Sequence, residues 1–340
     1  MPLSKHLYPQ KMKLRRMQAP SFWHRPSMTG RLLSPLSIFW HAGTMARRFF
    51  AAPPFVASVP VICVGNFTAG GAGKTPLVID LARALCSSDQ KPHLLTRGYG
   101  GSLRGPVLVD RQTHVASEVG DEPLLLAATA PTWVSHSRAQ GARQATKNGA
   151  SIILMDDGFQ NPTIVKSLSI IAVDGGYGFG NGKVIPAGPL RENVKAGLRR
   201  CDAVIIIGDD CHNIERFVAS ECPVYRTKIV AFPESSNTDK RVIAFAGISR
   251  PSKFYETLSD LGYEVVGKFD FSDHHQFKEE EITKIYNCAQ KLGATPITTE
   301  KDHARLPIEA QAKIKVIKIG IEWEDCDARE SILKKVNENG

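Results

Sequence analysis

Residues 61–85, VICVGNFTAGGAGKTPLVIDLARAL, join an apolar run to an apolar-periodic stretch through glycines and a Lys-Thr pair. Backbone N–H groups of such a glycine turn point inward at the head of a helix, where the helix dipole adds positive potential and an anion can settle. Thr68, Gly70, Gly71, Ala72, Gly73, Lys74 and Thr75 are the candidate nucleotide cradle: Lys74 reaches the β and γ phosphates, and the Thr75 hydroxyl ligates Mg²⁺. The phosphate-loop pattern asks for glycine where Thr68 stands, but the strand-loop-helix context that the motif requires is present. Such a site needs an acid at the end of a buried strand, and SIILMDDGFQ (151–160) offers Asp156 and Asp157; a plain D-D-G turn is the bland alternative. Transfer to a hydroxyl also needs a proton acceptor. VGDEPLLLA (119–127) offers Asp121 and Glu122, for which capping the start of a helix is the slightly favoured reading on sequence alone. FSDHHQF (271–277) offers Asp273, His274 and His275, for which a surface loop is the default.

These residues must be held by something. From residue 60 onward, short apolar segments (61–64, 93–96, 132–134, 152–155, 169–173 and 203–207) alternate with helix-length amphipathic stretches, the pattern of a mostly parallel sheet covered by helices. The Gly- and Pro-bearing segment DGGYGFGNGKVIPAGPLRE (174–192) reads as an ordered functional loop. After the polar stretch 231–241, VIAFAGI, YEVVGKF and IKVIKIGI read as strands, with helices over 253–261 and 279–292. The expected fold is α/β: a P-loop NTPase-like, mostly parallel sheet flanked by helices, a smaller C-terminal α/β domain and an N-terminal interfacial helix. The expected boundaries are 1–54 for the basic N-terminal segment, 55–232 for the nucleotide core and 233–340 for the second unit.

The 340-residue chain is 42% apolar and 23% charged, which excludes general disorder. Its net charge of +9 looks like a nucleic-acid signal until it is located: nine Lys or Arg lie in residues 1–50, and the first carboxylate is Asp80. Without those nine the other 34 basic residues match the 34 acidic ones, so no nucleic-acid partner is expected; the basic end suits an anionic surface. In SPLSIFWHAGTMARRFF (34–50), Leu36, Phe39, Trp40, Gly43, Ala46 and Phe50 share one helical face. That helix either lies in a membrane interface or packs on the protein's own core. No uninterrupted apolar run reaches the length of a spanning helix, and no secretory signal is expected; an organellar transit peptide is the alternative for the Arg-rich start. Seven cysteines without a C-x-x-C pair read as reduced core residues of a cytosolic protein.

Taken in order, PSFW, LSPLS, VGNFTAGGAGKTP, LTRGYGG, GDEP, DDGFQ, VIPAGPLRE, FAGISRP, FSDHHQF and TTEKD resemble one family over about residues 20–320: the tetraacyldisaccharide 4′-kinases of bacterial lipid A synthesis. The resemblance implies ATP-dependent phosphorylation of the 4′-hydroxyl of a tetraacylated glucosamine disaccharide 1-phosphate, giving lipid IVA. It implies a peripheral or monotopic enzyme at the cytoplasmic face of the inner membrane, with a lipid disaccharide substrate and no obligate protein partner. It assigns Lys74 and Thr75 to ATP and Mg²⁺, Asp156 and Asp157 to the metal, and Asp121 to the catalytic base. His274 matches the family histidine that pairs with that aspartate across the cleft, and Arg97, Gln160 and Arg191 are weaker candidates for substrate contact. Asn161 departs from the histidine found in many members, and residues 1–19 lie outside the resemblance. Two other classes fit a phosphate loop. A membrane-targeted switch or partitioning ATPase would often carry a lysine where Ala69 stands, and a GTP switch would want an N-K-x-D segment that is absent; a kinase for a soluble sugar would have no use for the basic N-terminal segment.

Overall fold

The computed structural model describes residues 20–232, 240–248, 251–273 and 275–338. The strands are β1 (Val61–Gly65), β2 (Pro92–Thr96), β3 (Val107–Leu108), β4 (Thr132–Val134), β5 (Ile152–Asp156), β6 (Leu168–Asp174), β7 (Ala203–Ile207), β8 (Val224–Phe232), β9 (Arg241–Ala246), β10 (Glu264–Asp270), β11 (Thr295–Thr299) and β12 (Lys315–Trp323). They form one twelve-stranded sheet in the order β10-β9-β11-β12-β8-β7-β6-β1-β5-β2-β4-β3.

The first helices are α1 (Met28–Leu33), α2 (Ser37–Phe49), α3 (Lys74–Ser87), α4 (Ala116–Val119), α5 (Asp121–Leu126), α6 (Arg138–Lys147), α7 (Val194–Leu198) and α8 (Ile214–Val218). The later ones are α9 (Pro251–Asp260), α10 (Glu279–Leu292), α11 (Glu300–His303), α12 (Ile308–Gln311) and α13 (Ala328–Glu338). The inner strands read as unbroken apolar runs because both faces of the sheet are covered. Cys63, Ile153, Ile171 and Val204 face one core, while Ile62, Leu154, Ile170 and Ile205 face the other, together with Leu77 and Leu81 of α3. The later strands repeat the scheme, with Val242 and Ala244 against Phe254 and Leu258 of α9, and Ile243 and Phe245 against Ile282 and Ile285 of α10.

β12 is the seam between the two sets of strands. Lys315–Ile317 pair in parallel with β11, and Lys318–Trp323 pair antiparallel with β8. Beyond it α13 returns to the first core, burying Ile332 and Val336 beside Leu77 and Leu81, and Asp80 of α3 accepts hydrogen bonds from Trp323 Nε1 (2.9 Å) and Arg329 Nη1 (3.1 Å).

The apolar runs expected from the sequence are all strands, whereas β8 and β11 had no clear signal. β11 carries Pro296, which is tolerated because pairing with β12 begins only at Ile297. The cysteines need a correction: Cys63 and Cys222 are buried, but Cys86, Cys211 and Cys326 are exposed, so not all are core residues.

The helix over 37–49 does not pack its apolar face on the protein. Ser37, His41 and Thr44, spaced for one face, are its half-buried positions, and Ser37 Oγ donates to Val184 O (2.8 Å) while Trp40 Nε1 donates to Arg191 O (2.9 Å). Ile38, Phe39, Met45, Phe49 and Phe50 are exposed, Phe49 to 84%, and Met28 and Leu32 of α1 join them. Among the described residues no helix is long and apolar enough to cross a membrane.

Candidate active site

The loop leaving β1 is braced before any ligand arrives. Asn66 Nδ2 donates to Thr68 O (2.8 Å) and Gly70 O (3.2 Å), Ala69 N donates to Pro189 O (2.7 Å), and Arg191 N donates to Phe67 O (2.7 Å). Thr68 is thereby bridged antiparallel to Leu190. An extended, paired backbone needs no glycine, which explains how threonine takes that place; positive φ falls on Gly70 (129°) and on Gly73 (72°) at the head of α3. Gly65 is required for a different reason: a Cβ there would lie 2.4 Å from Phe159 Cβ, in the turn that carries the two aspartates.

Parallel pairing sets Asp156 beside Val64, at the exit of the strand that feeds the loop. Asp156 is 2% exposed, and its Oδ1 has no hydrogen-bond partner. Burial, then the charge of Glu122, push its pKa from 3.8 up to about 7, against the pull of Lys74 and Arg138. Asp157, with a left-handed backbone (φ 52°), behaves oppositely. Desolvation would raise it, but Lys74 (3.5 Å) and the two-pronged contact from Arg191 (2.7 and 3.1 Å) hold it down to about 2. The two neighbouring carboxyls are therefore differentiated: one is buried and poorly compensated, the other is engaged by cations.

The orphaned Asp156 oxygen and the buried Thr75 hydroxyl are the oxygen donors that Mg²⁺ favours when it keeps waters and phosphate oxygens as its other ligands. Among the described residues no group of three His, Cys, Asp or Glu is placed to hold a metal ion. Beside Gly73 a cavity of about 290 Å³ runs along the ends of β6 and β7, lined by Ala72, Asp174, Ile207, Lys228 and Lys253 among others.

Gln160 donates to Asn66 O (2.9 Å) and Glu192 Oε1 (3.2 Å), so it ties the aspartate turn to the phosphate loop. Asn161 closes its own turn, accepting from Thr163 N and Oγ1. Arg97 is exposed at the end of β2, where its charge reaches Arg138 and His136. Arg138 escapes sequence reasoning: it is 3% exposed, its Nη1 donates to Ser135 O (2.6 Å), its Nε has no partner, and Asp156 and Asp157 act on its charge.

Asp121 opens α5 and is 6% exposed. Among the described residues it pairs with Arg305, just after α11, whose Nε (3.1 Å) and Nη2 both donate to Asp121 Oδ2. Lys301 pairs with Glu122 next door (3.2 Å). His274 lies outside the described residues; its neighbour His275 stacks on Phe271 and bonds Glu281 (2.8 Å) at the start of α10. The signal for Arg305 was its i+3 spacing from Asp302 in TTEKDHAR, a pattern that by itself has many innocent meanings.

A phosphate loop on a parallel strand, with a buried aspartate closing the neighbouring strand, defines a P-loop nucleoside-triphosphate site. The profile of the tetraacyldisaccharide-1-P 4′-kinase family matches residues 29–337. Tetraacyldisaccharide 4′-kinases of Rhodospirillum centenum (47% identity; 93% of this chain, 96% of theirs) and Rhodospirillum rubrum (45%; 94% and 98%) are similar over nearly the full length. The crystal structure of LpxK from Aquifex aeolicus in complex with ATP superposes with a TM-score of 0.75 at 25% identity, covering 91% of this chain and 99% of that one. The chain belongs to the tetraacyldisaccharide-1-P 4′-kinase family.

Proposed function

We propose that this chain transfers the γ-phosphate of ATP to the 4′-hydroxyl of a tetraacylated glucosamine disaccharide 1-phosphate, making lipid IVA, and that it does so with the residues gathered around Asp156. The observation that carries the assignment of residues is the unpartnered, buried Asp156 oxygen beside Lys74 and Thr75. Gly70, Gly71, Ala72 and Gly73 wrap the phosphates with backbone N–H groups, and Lys74 exchanges Asp157 for the phosphate oxygens. Thr75 and Asp156 would hold Mg²⁺, with Asp157 close by, and the ion supplies charge neutralisation at the β and γ oxygens. Arg138 and Arg191 add positive charge along the aspartate turn. The nucleoside follows into the cavity beside Gly73. Asp121 takes the proton of the 4′-hydroxyl as the new O–P bond forms and the bond from the γ-phosphorus to the ADP oxygen breaks. The charge of Glu122, beside Asp121 at the head of α5, acts on Asp156, which supports this reading.

The lipid is met at a membrane surface. α1 and α2 turn their apolar side chains outward and their polar face to the protein, and Trp40 bonds the backbone of Arg191, whose guanidinium grips Asp157. An acid-free, Arg-bearing helix of this kind suits anionic headgroups, and use of ATP suits the cytoplasmic face of the inner membrane. The 55–232 core then carries ATP, while the second unit meets it through α11 and α5.

Incubation with γ-labelled ATP, Mg²⁺ and the disaccharide precursor tests the reading. Label is expected in the lipid with the intact chain and not with Asp121→Ala that still binds ATP. Label released only as inorganic phosphate, with no labelled lipid, would instead mark a switch-type ATPase.

A further inference from the structure

We infer that Arg305 is a positioning residue for phosphoryl transfer, holding the Asp121 carboxylate from the opposite unit. The inference rests on the proposed role of Asp121 as base. It starts from a side chain that is almost wholly enclosed: the Arg305 side chain is 1% exposed, and its partners Asp121 and Asp302 are buried with it. A guanidinium carries its donors in a rigid plane, so each contact restricts the others. Here Nη1 donates to Gly247 O (2.9 Å), at the end of β9, and to Asp302 Oδ1 (2.8 Å), just after β11. Nε and Nη2 both donate to Asp121 Oδ2.

Asp302 is itself immobilised: its Oδ2 accepts from Gly247 N (3.1 Å) and Thr299 Oγ1 (2.8 Å). The plane of Arg305 is therefore fixed by β9 and β11 before it reaches Asp121. Arg305 grips Oδ2 and not Oδ1, so it sets the direction of the second oxygen while stabilising the ionised form that can accept a proton. The parallel pair of Lys301 and Glu122 docks the same two helices, α11 and α5. Among the described residues, the charged groups around this contact are Glu122 on α5, and Lys301, Asp302 and Arg305 around α11, with Asp273 acting on Asp302 from the turn after β10.

An ion pair that only fastened the two units would act on stability and leave the chemistry of bound substrate alone. A positioning pair acts on kcat and on its pH profile. The test compares Arg305→Lys and Arg305→Gln with Asp121→Asn in the full chain, each checked for thermal unfolding and ATP affinity. Arg305→Gln is expected to keep ATP binding, to lose about 10²-fold in kcat with little change in KM for ATP, and to shift the acid limb of kcat to higher pH, because Asp121 loses the cation favouring its charged form. Arg305→Lys, which keeps the charge without the fork, is expected to hold the acid limb while recovering only part of kcat. A folded, ATP-binding Arg305→Gln with kcat within about twofold of the unaltered chain and an unmoved acid limb overturns the inference while Asp121 remains the base. If Asp121→Asn itself turns over normally, the base assignment falls first, and the role of Arg305 falls with it. If Arg305→Gln fails to fold, Arg305→Lys decides: kcat equal to that of the unaltered chain counts against positioning.

Discussion

Asp156→Asn separates the demands of catalysis from those of stability. A carboxyl whose folded pKa lies above its unfolded value keeps its proton in the folded state after the unfolded chain has released it. Stability contributed by that group is therefore full below about pH 4 and is lost as pH rises toward 7. For Asp156 the distance from 3.8 to about 7 corresponds to ~4 kcal/mol of destabilisation once the folded carboxyl has ionised. Asparagine resembles the protonated form in shape and carries no charge, so the substitution removes that penalty. In EDTA, thermal unfolding of the unaltered chain and of Asp156→Asn is expected to be alike below about pH 4 and to diverge as pH rises toward 7, with the variant melting higher at pH 8. Phosphoryl transfer by the variant is expected to be lost. Added Mg²⁺ with nucleotide is expected to raise the melting temperature of the unaltered chain and much less that of the variant, since a ligand stabilises only the state that binds it. Parallel melting curves across the pH range, or a variant that melts lower at pH 8, would refute the premise that Asp156 is a buried, undercompensated charge.

Gly73→Ala is expected to lower stability by about 1–2 kcal/mol through its left-handed backbone, and a Cβ 2.8 Å from Ile207 Cδ1 adds to that; equilibrium unfolding and ATP titration measure both losses. Gly71→Ala, with open space around it and no positive φ, is expected to fold normally and weaken only ATP binding, so equal unfolding losses at the two positions would count against the geometry. Replacing Phe39 and Phe49 together by serine removes two exposed rings from α2, and is expected to reduce sedimentation with anionic vesicles by an order of magnitude or more while leaving the melting temperature unchanged. Unchanged sedimentation would remove α2 as the membrane contact.

What could be read from the sequence was local. A phosphate cradle is built from consecutive backbone groups, so Gly70 to Thr75 announce it, and a buried strand ending in Asp156-Asp157 announces its partner. The family motifs carried the substrate class further than physics alone could. Three things had to wait for tertiary structure, each because it joins distant segments. Thr68 is acceptable as a threonine because Leu190, in a loop far along the chain, straightens its backbone. Periodicity marked an apolar stripe on α2, but only the tertiary structure decides that Ser37, His41 and Thr44 meet the protein, with Ser37 bonded to Val184 and Trp40, on the stripe, bonded to Arg191. Arg305 stands 184 positions from Asp121, and nothing in either neighbourhood reveals that one enclosed guanidinium would join them. Sequence determined which groups could hold a phosphate, because that chemistry lies in neighbouring residues. Packing decided which charges are compensated and which are left exposed to a ligand, because burial and pairing depend on segments that only the fold brings together.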